Sequence, residues 1–285
     1  MSWKKVRTAV FPVAGLGTRL LPATKSIPKE MLTIVDKPLI QYAVDEAREA
    51  GIEKLVFVTG RGKSTLVDYF DQATELETAL RDKGKSLAAL EPARARFGEI
   101  VTVRQQQPLG LGHAVWCARH VVGDEPFAVL LPDDLMVPGA LKQMIDAYAE
   151  LGGNILCTEQ VPAERTSSYG IITPGDAKGR AVEVKGLVEK PQPQDAPSNL
   201  AVIGRYILQP ELMRVLDGQE TGSGGEVQLT DAMARLIGKQ PFHAVTVDCV
   251  RHDCGDKAGF VLANLALGMA DPDIAPKLRE FLSRS

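Results

Sequence analysis

The sequence predicts an α/β fold in which helices cover both faces of a mainly parallel sheet. Short apolar runs rich in β-branched residues alternate with helix-like segments through the first half of the chain, and this alternation is typical of parallel strands joined by crossover helices. The chain has 285 residues, of which 45% are hydrophobic and 24% are charged, close to the average of globular proteins. No linker is long enough to divide it, so we expect one domain over residues 1–285.

Eight short apolar segments are the predicted strands: residues 8–13, 54–59, 100–104, 127–131, 155–161, 186–189, 200–207 and 243–247. Seven further segments are the predicted helices: residues 39–50, 64–70, 112–122, 140–151, 210–216, 228–238 and 257–269. In the last helix, Phe260, Ala263 and Leu267 recur at the spacing of one helical face. The charged stretch 71–98 predicts solvated helix and loop, and the glycine-rich stretch 218–226 predicts a mobile loop.

Composition excludes several classes of protein. The net charge is −3, whereas proteins that coat nucleic acids are usually basic. The four cysteines form no CxxC pair, which predicts free thiols in a reducing compartment. No segment has the pattern of a signal peptide, and none approaches the roughly 20 apolar residues of a membrane helix. We therefore expect a cytoplasmic protein that binds neither nucleic acid nor a membrane.

The first predicted strand is followed by an unusual glycine-containing segment, AGLGTRLLPATKSIPKEML, at residues 14–32. Gly15 and Gly17 allow backbone N–H groups to approach an anion closely. Residues 1–37 hold seven Lys or Arg and two Asp or Glu, a local charge of +5 in a chain of net charge −3. This concentration of positive charge favours a polyphosphate ligand over the alternative of a plain structural turn.

Two other glycine patterns fail as nucleotide-binding motifs. Residues 15–20 begin like the dinucleotide fingerprint GxGxxG, but Leu20 stands at the sixth position and Pro22 prevents an immediate helix. Residues 60–64 end like a P-loop, but its first glycine would have to stand at Phe57. A P-loop kinase is therefore excluded, and we predict a turn there with Ser64 as the N-cap of a helix. His252 and Cys254 lack partners at the spacing of a zinc site or a Cys–His pair.

The segment 14–32 resembles the signature of the sugar-nucleotide pyrophosphorylases, and in particular that of the bacterial UTP–glucose-1-phosphate uridylyltransferases. Relatives that transfer thymidylyl or guanylyl groups usually have Gly-Gly where this chain has Ala14-Gly15. Seven further motifs resemble the family in the same order: Gln105 with LGLGHA at 109–114, LPDD at 131–134, YG at 169–170, VEKP at 188–191, SNL at 198–200, EVQLTD at 226–231 and HDCG at 252–255. The resemblance extends from about Val6 to Phe281.

The resemblance implies a Rossmann-like, mainly parallel mixed sheet flanked by helices, the nucleotidyltransferase fold. Residues 1–151 would mainly bind the nucleotide, and residues 152–285 would mainly bind the sugar and supply the C-terminal helices. The implied reaction converts UTP and α-D-glucose 1-phosphate into UDP-glucose and pyrophosphate with Mg²⁺, in a homodimer or homotetramer. The alternatives are a thymidylyltransferase that uses dTTP and a non-catalytic subunit that senses nucleotide sugars.

The resemblance also assigns roles to individual residues. Catalysis is assigned to Arg19, Lys29, Asp133 and Lys190. Nucleotide contacts are assigned to Ala14, Gly15, Gly17, Thr18, Glu30, Gln105 and Gly110. Sugar contacts are assigned to Gly170, Glu189, Lys190 and Asn199. Metal ligation is assigned to Asp133 and Asp253.

Residue chemistry agrees with several of these roles. Arg offers a planar fork to phosphate oxygens, and Lys offers a point charge. Asp133 follows the apolar run 127–131, and open α/β folds bind ligands at the carboxyl ends of parallel strands. Mg²⁺ prefers one or two carboxylates together with phosphate oxygens. Asp134 is an alternative ligand, and Glu30 is open between a base contact and a surface carboxylate.

Overall fold

The computed structural model describes residues 3–284. The strands are β1 Thr8–Pro12, β2 Thr33–Ile34, β3 Lys37–Pro38, β4 Lys54–Thr59, β5 Ile100–Arg104, β6 Phe127–Leu130, β7 Asp134–Val137, β8 Asn154–Gln160, β9 Gly170–Lys178, β10 Ala181–Glu189, β11 Leu200–Leu208, β12 Phe242–Val245 and β13 Val250–Asp253. The α-helices are α1 Leu39–Glu49, α2 Thr65–Asp68, α3 Thr74–Asp82, α4 Leu111–Cys117, α5 Arg119–Val122, α6 Leu141–Leu151, α7 Glu211–Leu216, α8 Leu229–Ala234, α9 Lys257–Ala270 and α10 Ala275–Ser283. Within this part of the chain, no helix is both long and apolar enough to span a membrane.

Nine strands form one central sheet in the order β5-β4-β1-β6-β11-β8-β12-β10-β9. The strands β5, β4, β1 and β6 run parallel, as do β8 and β12. The remaining neighbours in this order are antiparallel. The predicted mixed sheet flanked by helices is therefore confirmed, but it is not mainly parallel. Of the eight neighbouring pairs in this order, four are parallel and four are antiparallel, and three of the parallel pairs are formed by strands of the first half of the chain. Because β11 lies between β6 and β8, both halves of the sequence build the same sheet.

Apolar side chains cover both faces of the sheet, and β1 illustrates the consequence for sequence. Ala9 and Phe11 pack in the cluster that contains the apolar faces of α1 and α6. Val10 packs in a second cluster with α4, α7 and α8. A parallel strand that is buried on both faces has no solvent side, so its sequence is a continuous apolar run rather than an alternation.

A two-stranded antiparallel sheet of β7 and β13 lies apart from the central sheet. Its register pairs Asp134 with Asp253 and Val137 with Val250. The sequence analysis assigned neither strand, because both are short and follow turns. Their pairing brings the segment after β6 to the segment before α9, although these are more than one hundred positions apart in the chain.

The hairpin of β9 and β10 carries two of the second-half motifs, YG and VEKP, at the ends of its strands. Its register pairs Gly170 with Glu189, and it is irregular between Val182 and Gly186. β9 was not predicted, because its sequence GIITPGDAK contains Pro and two Gly, which are depleted in strands. The hairpin places the motifs YG and VEKP side by side.

Most predicted strands and helices agree with the structure to within two residues at each end, but β10 begins five residues before the strand predicted at 186–189. The strands predicted at 54–59 and 100–104 agree with β4 and β5. The helix predicted at 112–122 is interrupted at the buried Ala118 and forms α4 and α5. The helix predicted at 228–238 ends early as α8, because Ile237 forms a bridge with Gln240. Ser64 does precede the short helix α2, but its side chain makes no capping hydrogen bond. The mobility of the 218–226 loop stays a prediction.

Candidate active site

A cavity of about 630 Å³ lies at the carboxyl ends of β1 and β6. Its lining includes six residues to which the resemblance assigns roles: Arg19, Asp133, Gly170, Glu189, Lys190 and Asp253. They come from both halves of the chain and from five separate loops or strand ends. The fold therefore brings together chemical groups that the sequence holds far apart.

The glycine loop after β1 folds back onto Lys29. Gly17 has a left-handed backbone with φ of 66°, which favours glycine. A Cβ atom at Gly17 would lie 3.2 Å from the Cβ atom of Lys29. The Thr24 hydroxyl donates to the Gly17 carbonyl at 2.7 Å and closes the loop. Gly15 and Thr18 are exposed, Ala14 is half-buried, and a Cβ atom at Gly15 would have no neighbour within 4 Å.

Lys29 and Asp133 form a partly buried ion pair in which Lys29 Nζ lies 2.5 Å from Asp133 Oδ2. Burial alone would raise the pKa of Asp133, but the Lys29 ammonium holds it below its ordinary range. Burial alone would lower the pKa of Lys29, but Asp133 holds it above its ordinary value. Both groups are therefore charged across the neutral range. The pair loses its contribution to stability only as the pH falls through the lowered pKa of Asp133 or rises through the raised pKa of Lys29.

Asp253 lies close to Asp133 across Gly255. A Cβ atom placed on Gly255 would lie 3.0 Å from Asp253 Oδ1, 3.4 Å from Asp133 Oδ2 and 3.9 Å from Arg19 Nη1. The Gly255 backbone N–H donates to Asp253 Oδ1 at 3.0 Å. Two carboxylates beside an arginine and a lysine are suited to Mg²⁺ held together with phosphate oxygens. Among residues 3–284, no three His, Cys, Asp or Glu side chains form a fuller ligand set.

Asp134, the alternative metal ligand, is already occupied by the protein. Arg251 Nε donates to Asp134 Oδ1 at 2.7 Å, and the Gly204 backbone N–H donates to Asp134 Oδ2 at 2.8 Å. Burial raises the pKa of Asp134. Both of its oxygens have partners, so the contacts favour Asp133 over Asp134 as the carboxylate that is available to a ligand.

Lys190 has a strained backbone at the end of the β9–β10 hairpin. Its φ is 48°, a left-handed value that is uncommon for a residue with a side chain. Its backbone N–H donates to the Tyr169 carbonyl at 2.9 Å, and its ammonium lies 2.9 Å from Glu189 Oε1. Strained backbone of this kind is concentrated at functional sites, and here it accompanies a lysine that lines the cavity.

The sequence assigned no role to several residues of the cavity lining, among them Arg165, Tyr169 and Arg251. Arg165 Nη2 donates to the Tyr169 hydroxyl at 2.9 Å, and both Arg165 and Arg251 lie over the Tyr169 ring. Arg251 Nη2 and Arg165 Nη2 lie 3.8 Å and 4.0 Å from Asp253 Oδ2. Tyr169 is part of the motif YG and Arg251 adjoins the motif HDCG, but no spacing distinguishes Arg165 from a surface arginine.

Nine predicted residues are outside the lining of this cavity: Ala14, Gly15, Gly17, Thr18, Lys29, Glu30, Gln105, Gly110 and Asn199. Lys29 reaches the site through its ion pair with Asp133. Glu30 is buried and accepts a hydrogen bond from Lys63 Nζ at 2.8 Å, in a pair where burial raises the pKa of Glu30 and lowers that of Lys63. Glu30 is therefore not a surface carboxylate, and its Oε1 has no hydrogen-bond partner. Asn199 is exposed.

Gln105 and Gly110, which also lie outside the lining, contact each other. Gln105 Nε2 donates to the Gly110 carbonyl at 3.0 Å and lies 3.0 Å from His113 Nδ1. A Cβ atom on Gly110, where φ is 105°, would lie 2.8 Å from the Val227 carbonyl oxygen. Gly110 therefore allows the chain to approach the segment just before α8. This contact brings residues 105–113 next to residues 226–228.

Comparisons with known proteins agree with this fold. The family model described as Nucleotidyl transferase matches residues 9–267. A UTP–glucose-1-phosphate uridylyltransferase of Komagataeibacter xylinus is 54% identical over 258 residues, which are 89% of this chain and 91% of that protein. A UTP-bound UGPase from Acinetobacter baumannii is 42% identical with a TM-score of 0.89, over 97% of this chain and 98% of that one. A UDP-glucose pyrophosphorylase complexed with UDP-glucose is 43% identical with a TM-score of 0.85, over 93% of this chain and 100% of that one.

The fold and the site define a nucleotidyl transferase, and the chain belongs to that family. Within the family it belongs with the bacterial UTP–glucose-1-phosphate uridylyltransferases, which it matches over nearly its whole length at 45–54% identity. The resemblance inferred from the sequence motifs is thereby confirmed.

Proposed function

We propose that this protein transfers UMP from UTP to α-D-glucose 1-phosphate and releases pyrophosphate. The observation that carries the proposal is the cavity that Arg19, Asp133, Glu189 and Lys190 line together, with Lys29 paired to Asp133. Two polyanionic substrates repel each other unless cations lie between them, and these side chains provide such cations. The UTP and UDP-glucose in the two similar solved structures support this pair of substrates.

Residues of the cavity and of the segments around it are assigned to one substrate or the other. Arg19, Lys29 and the backbone of Ala14, Gly15, Gly17 and Thr18 hold the triphosphate, while Glu30, Gln105 and Gly110 contact the nucleoside. Gly170, Glu189 and Asn199 bind the sugar, and Lys190 neutralises its phosphate. The first 151 residues therefore mainly serve the nucleotide, and the remainder mainly serves the sugar.

Asp133 and Asp253 are the residues that would hold Mg²⁺. Asp133 is charged at neutral pH because of Lys29, and both carboxylates lie beside Gly255. When bound, Mg²⁺ would supply charge stabilisation at the reacting phosphate oxygens. Arg19 and Lys29 bind and orient the triphosphate, and Lys190 orients the attacking sugar phosphate.

The sugar phosphate oxygen attacks the α-phosphorus directly, and pyrophosphate leaves in line. The Cys254 thiol lies one residue from Asp253, but it is buried and burial raises its pKa to about 12. A thiol in that state is not a nucleophile at neutral pH.

UTP and labelled pyrophosphate, without sugar phosphate, are expected to show no isotope exchange. Direct displacement requires both substrates, so the label should enter UTP only when UDP-glucose or glucose 1-phosphate is also present. Steady exchange without sugar phosphate would instead demand a covalent uridylyl–enzyme and would refute direct displacement.

The proposed function is tested by pyrophosphate release over a panel of nucleotides and sugar phosphates. UTP with glucose 1-phosphate should give the highest kcat/KM. A higher value with dTTP would establish the thymidylyltransferase alternative. No release with any pair, from protein that binds UDP-glucose, would establish the non-catalytic sensor.

Replacing Lys190 should separate the sugar phosphate from the nucleotide. Lys190→Gly removes the charge and relieves the left-handed strain, so folding should be retained. Loss of one charged hydrogen bond of about 1.5–3 kcal/mol should raise KM for glucose 1-phosphate by about 10- to 100-fold, with little change in KM for UTP. Steady-state kinetics with each substrate varied in turn measures both constants. An equal rise in the two KM values would contradict the assignment to the sugar phosphate.

The assembly and the location stay predictions. The α9–α10 surface exposes Val261, Leu262 and Leu282, which supports a homodimer or homotetramer formed through the C-terminal helices. The cytoplasmic location rests on the sequence expectation.

A further inference from the structure

A buried arginine lies beneath the turn that carries Asp133. Arg205, in β11, is the largest fully buried side chain between residues 3 and 284. Its Nε atom lies 3.0 Å from both carboxylate oxygens of Glu46, and its Nη2 donates to Glu46 Oε2 at 2.7 Å. This ion pair joins β11 to α1, and neither residue lines the cavity.

The remaining donors of Arg205 hold the backbone on both sides of Asp133. Nη1 donates to the Leu131 carbonyl and Nη2 donates to the Asp134 carbonyl, each at 2.9 Å. Within the turn, the Asp134 backbone N–H donates to the Leu131 carbonyl at 3.2 Å. One planar group therefore fixes both ends of the turn whose side chain meets Lys29.

Glu46 holds the next part of the same segment. Its Oε1 accepts hydrogen bonds from the backbone N–H groups of Ala140 and Leu141, each at 2.9 Å, where α6 begins. Gly139 leaves room for this contact, since a Cβ atom there would lie 2.6 Å from Glu46 Cγ. The ion pair thus fixes β7 at both ends, at the Asp133 turn and at the start of α6.

Stability alone does not explain a buried ion pair, because apolar residues of similar volume often replace one without loss of stability. What an apolar pair lacks is the rigid fork of donors that fixes several carbonyls at once. We propose that Arg205 and Glu46 are positioning residues that aim the Asp133 carboxylate at the space shared with Asp253. The inference rests on the proposed function, in which those two carboxylates hold the metal ion.

The test uses the double variant Glu46→Met/Arg205→Met, which removes both charges together and leaves neither unpaired. Arg205→Lys is a second variant that keeps a positive charge beside Glu46 but lacks the fork. The matched control is Arg48→Met/Glu99→Met. Arg48 lies two positions from Glu46 in α1, and its 2.8 Å ion pair with the buried Glu99 does not border the cavity.

Three quantities are measured for each variant: the thermal midpoint, Mn²⁺ binding by water-proton relaxation with and without UTP, and kcat with KM for both substrates. Loss of groups that orient a metal ligand typically weakens metal binding or activity by about 10- to 100-fold. We expect that loss in Mn²⁺ affinity and in kcat for the folded double variant, with KM for glucose 1-phosphate little changed. The control should bind Mn²⁺ and turn over like the wild type.

A folded double variant with wild-type Mn²⁺ affinity and kcat would overturn the proposal. If the double variant does not fold, Arg205→Lys provides the test. Weakened Mn²⁺ binding at a near-normal thermal midpoint would support the positioning role of Arg205, and unchanged Mn²⁺ binding would refute it. Wild-type protein that binds Mn²⁺ without forming UDP-glucose would refute the proposed function alone, because the variants are still compared by Mn²⁺ affinity. Wild-type protein that binds no Mn²⁺ would refute the positioning proposal.

Discussion

Lys29→Ala is expected to lower kcat by about 10²–10³, the typical loss for one group that stabilises charge in a transition state. Lys29 is the cation in contact with Asp133, and phosphoryl transfer depends mainly on positioning and charge stabilisation. The variant also removes the charge that holds the pKa of Asp133 low. That pKa rises in the variant, so the acid limb of the pH–rate profile should move to higher pH.

Lys25→Ala is the matched control for Lys29→Ala. It removes the same charge from the same loop, but Lys25 is exposed, whereas Lys29 is partly buried and paired with Asp133. Steady-state kinetics over a pH series, with thermal melting of each variant, gives the comparison. If Lys29→Ala keeps a near-normal kcat and the acid limb of its pH–rate profile does not move, the assignment of Lys29 to the triphosphate is wrong. An equal loss of kcat in both variants would indicate a general effect of charge in the loop.

Asp133→Asn is expected to lower kcat by a similar factor, about 10²–10³, and to weaken the response to Mg²⁺. The substitution keeps the shape of the side chain but removes a hard anionic ligand. It also leaves the partly buried Lys29 without its carboxylate partner. Rates measured over a Mg²⁺ titration give the apparent affinity for the metal in each variant.

Asp134→Asn should behave differently, although it changes the neighbouring residue in the same way. Its carboxylate accepts hydrogen bonds from Arg251 and from the Gly204 backbone N–H. Loss of these hydrogen bonds should lower the free energy of unfolding by about 1–3 kcal/mol. The Mg²⁺ titration of this variant should stay close to that of the wild type. Denaturant unfolding measures the free energy of unfolding, and the Mg²⁺ titration of the rate measures the apparent affinity for the metal. If Asp134→Asn loses the Mg²⁺ response and Asp133→Asn keeps it, the two roles must be exchanged.

The local pattern of the sequence was sufficient for the sheet of the first half. The continuous apolar runs of β1, β4 and β6 predict strands buried on both faces, and their alternation with helices predicts parallel pairing. These features are local, because burial and helical spacing are encoded within a few neighbouring residues. β9 and β13 escaped prediction because their residues favour strands only in the company of β10 and β7.

The candidate site also has features that the sequence determined and features that it could not determine. The sequence by itself determined which chemical groups are available: a cationic glycine loop, carboxylates after a buried strand, and a lysine after the β9–β10 hairpin. The sequence could not determine which of the adjacent carboxylates of Asp133 and Asp134 is available to a ligand. That depends on the hydrogen bonds that Asp134 accepts from Arg251 and Gly204, which lie far along the chain.

Only the tertiary structure placed Arg165 at the cavity, joined Asp133 to Asp253 through the β7–β13 pair, and buried Arg205 beneath the Asp133 turn. Each of these contacts links residues far apart in sequence. Closing the chain between two such residues costs conformational entropy, and this cost grows with the length of the loop. Such a contact therefore forms only when the packed core holds both partners in place. The sequence therefore determined the chemistry of this site, and the packing of the fold decided which groups meet in it.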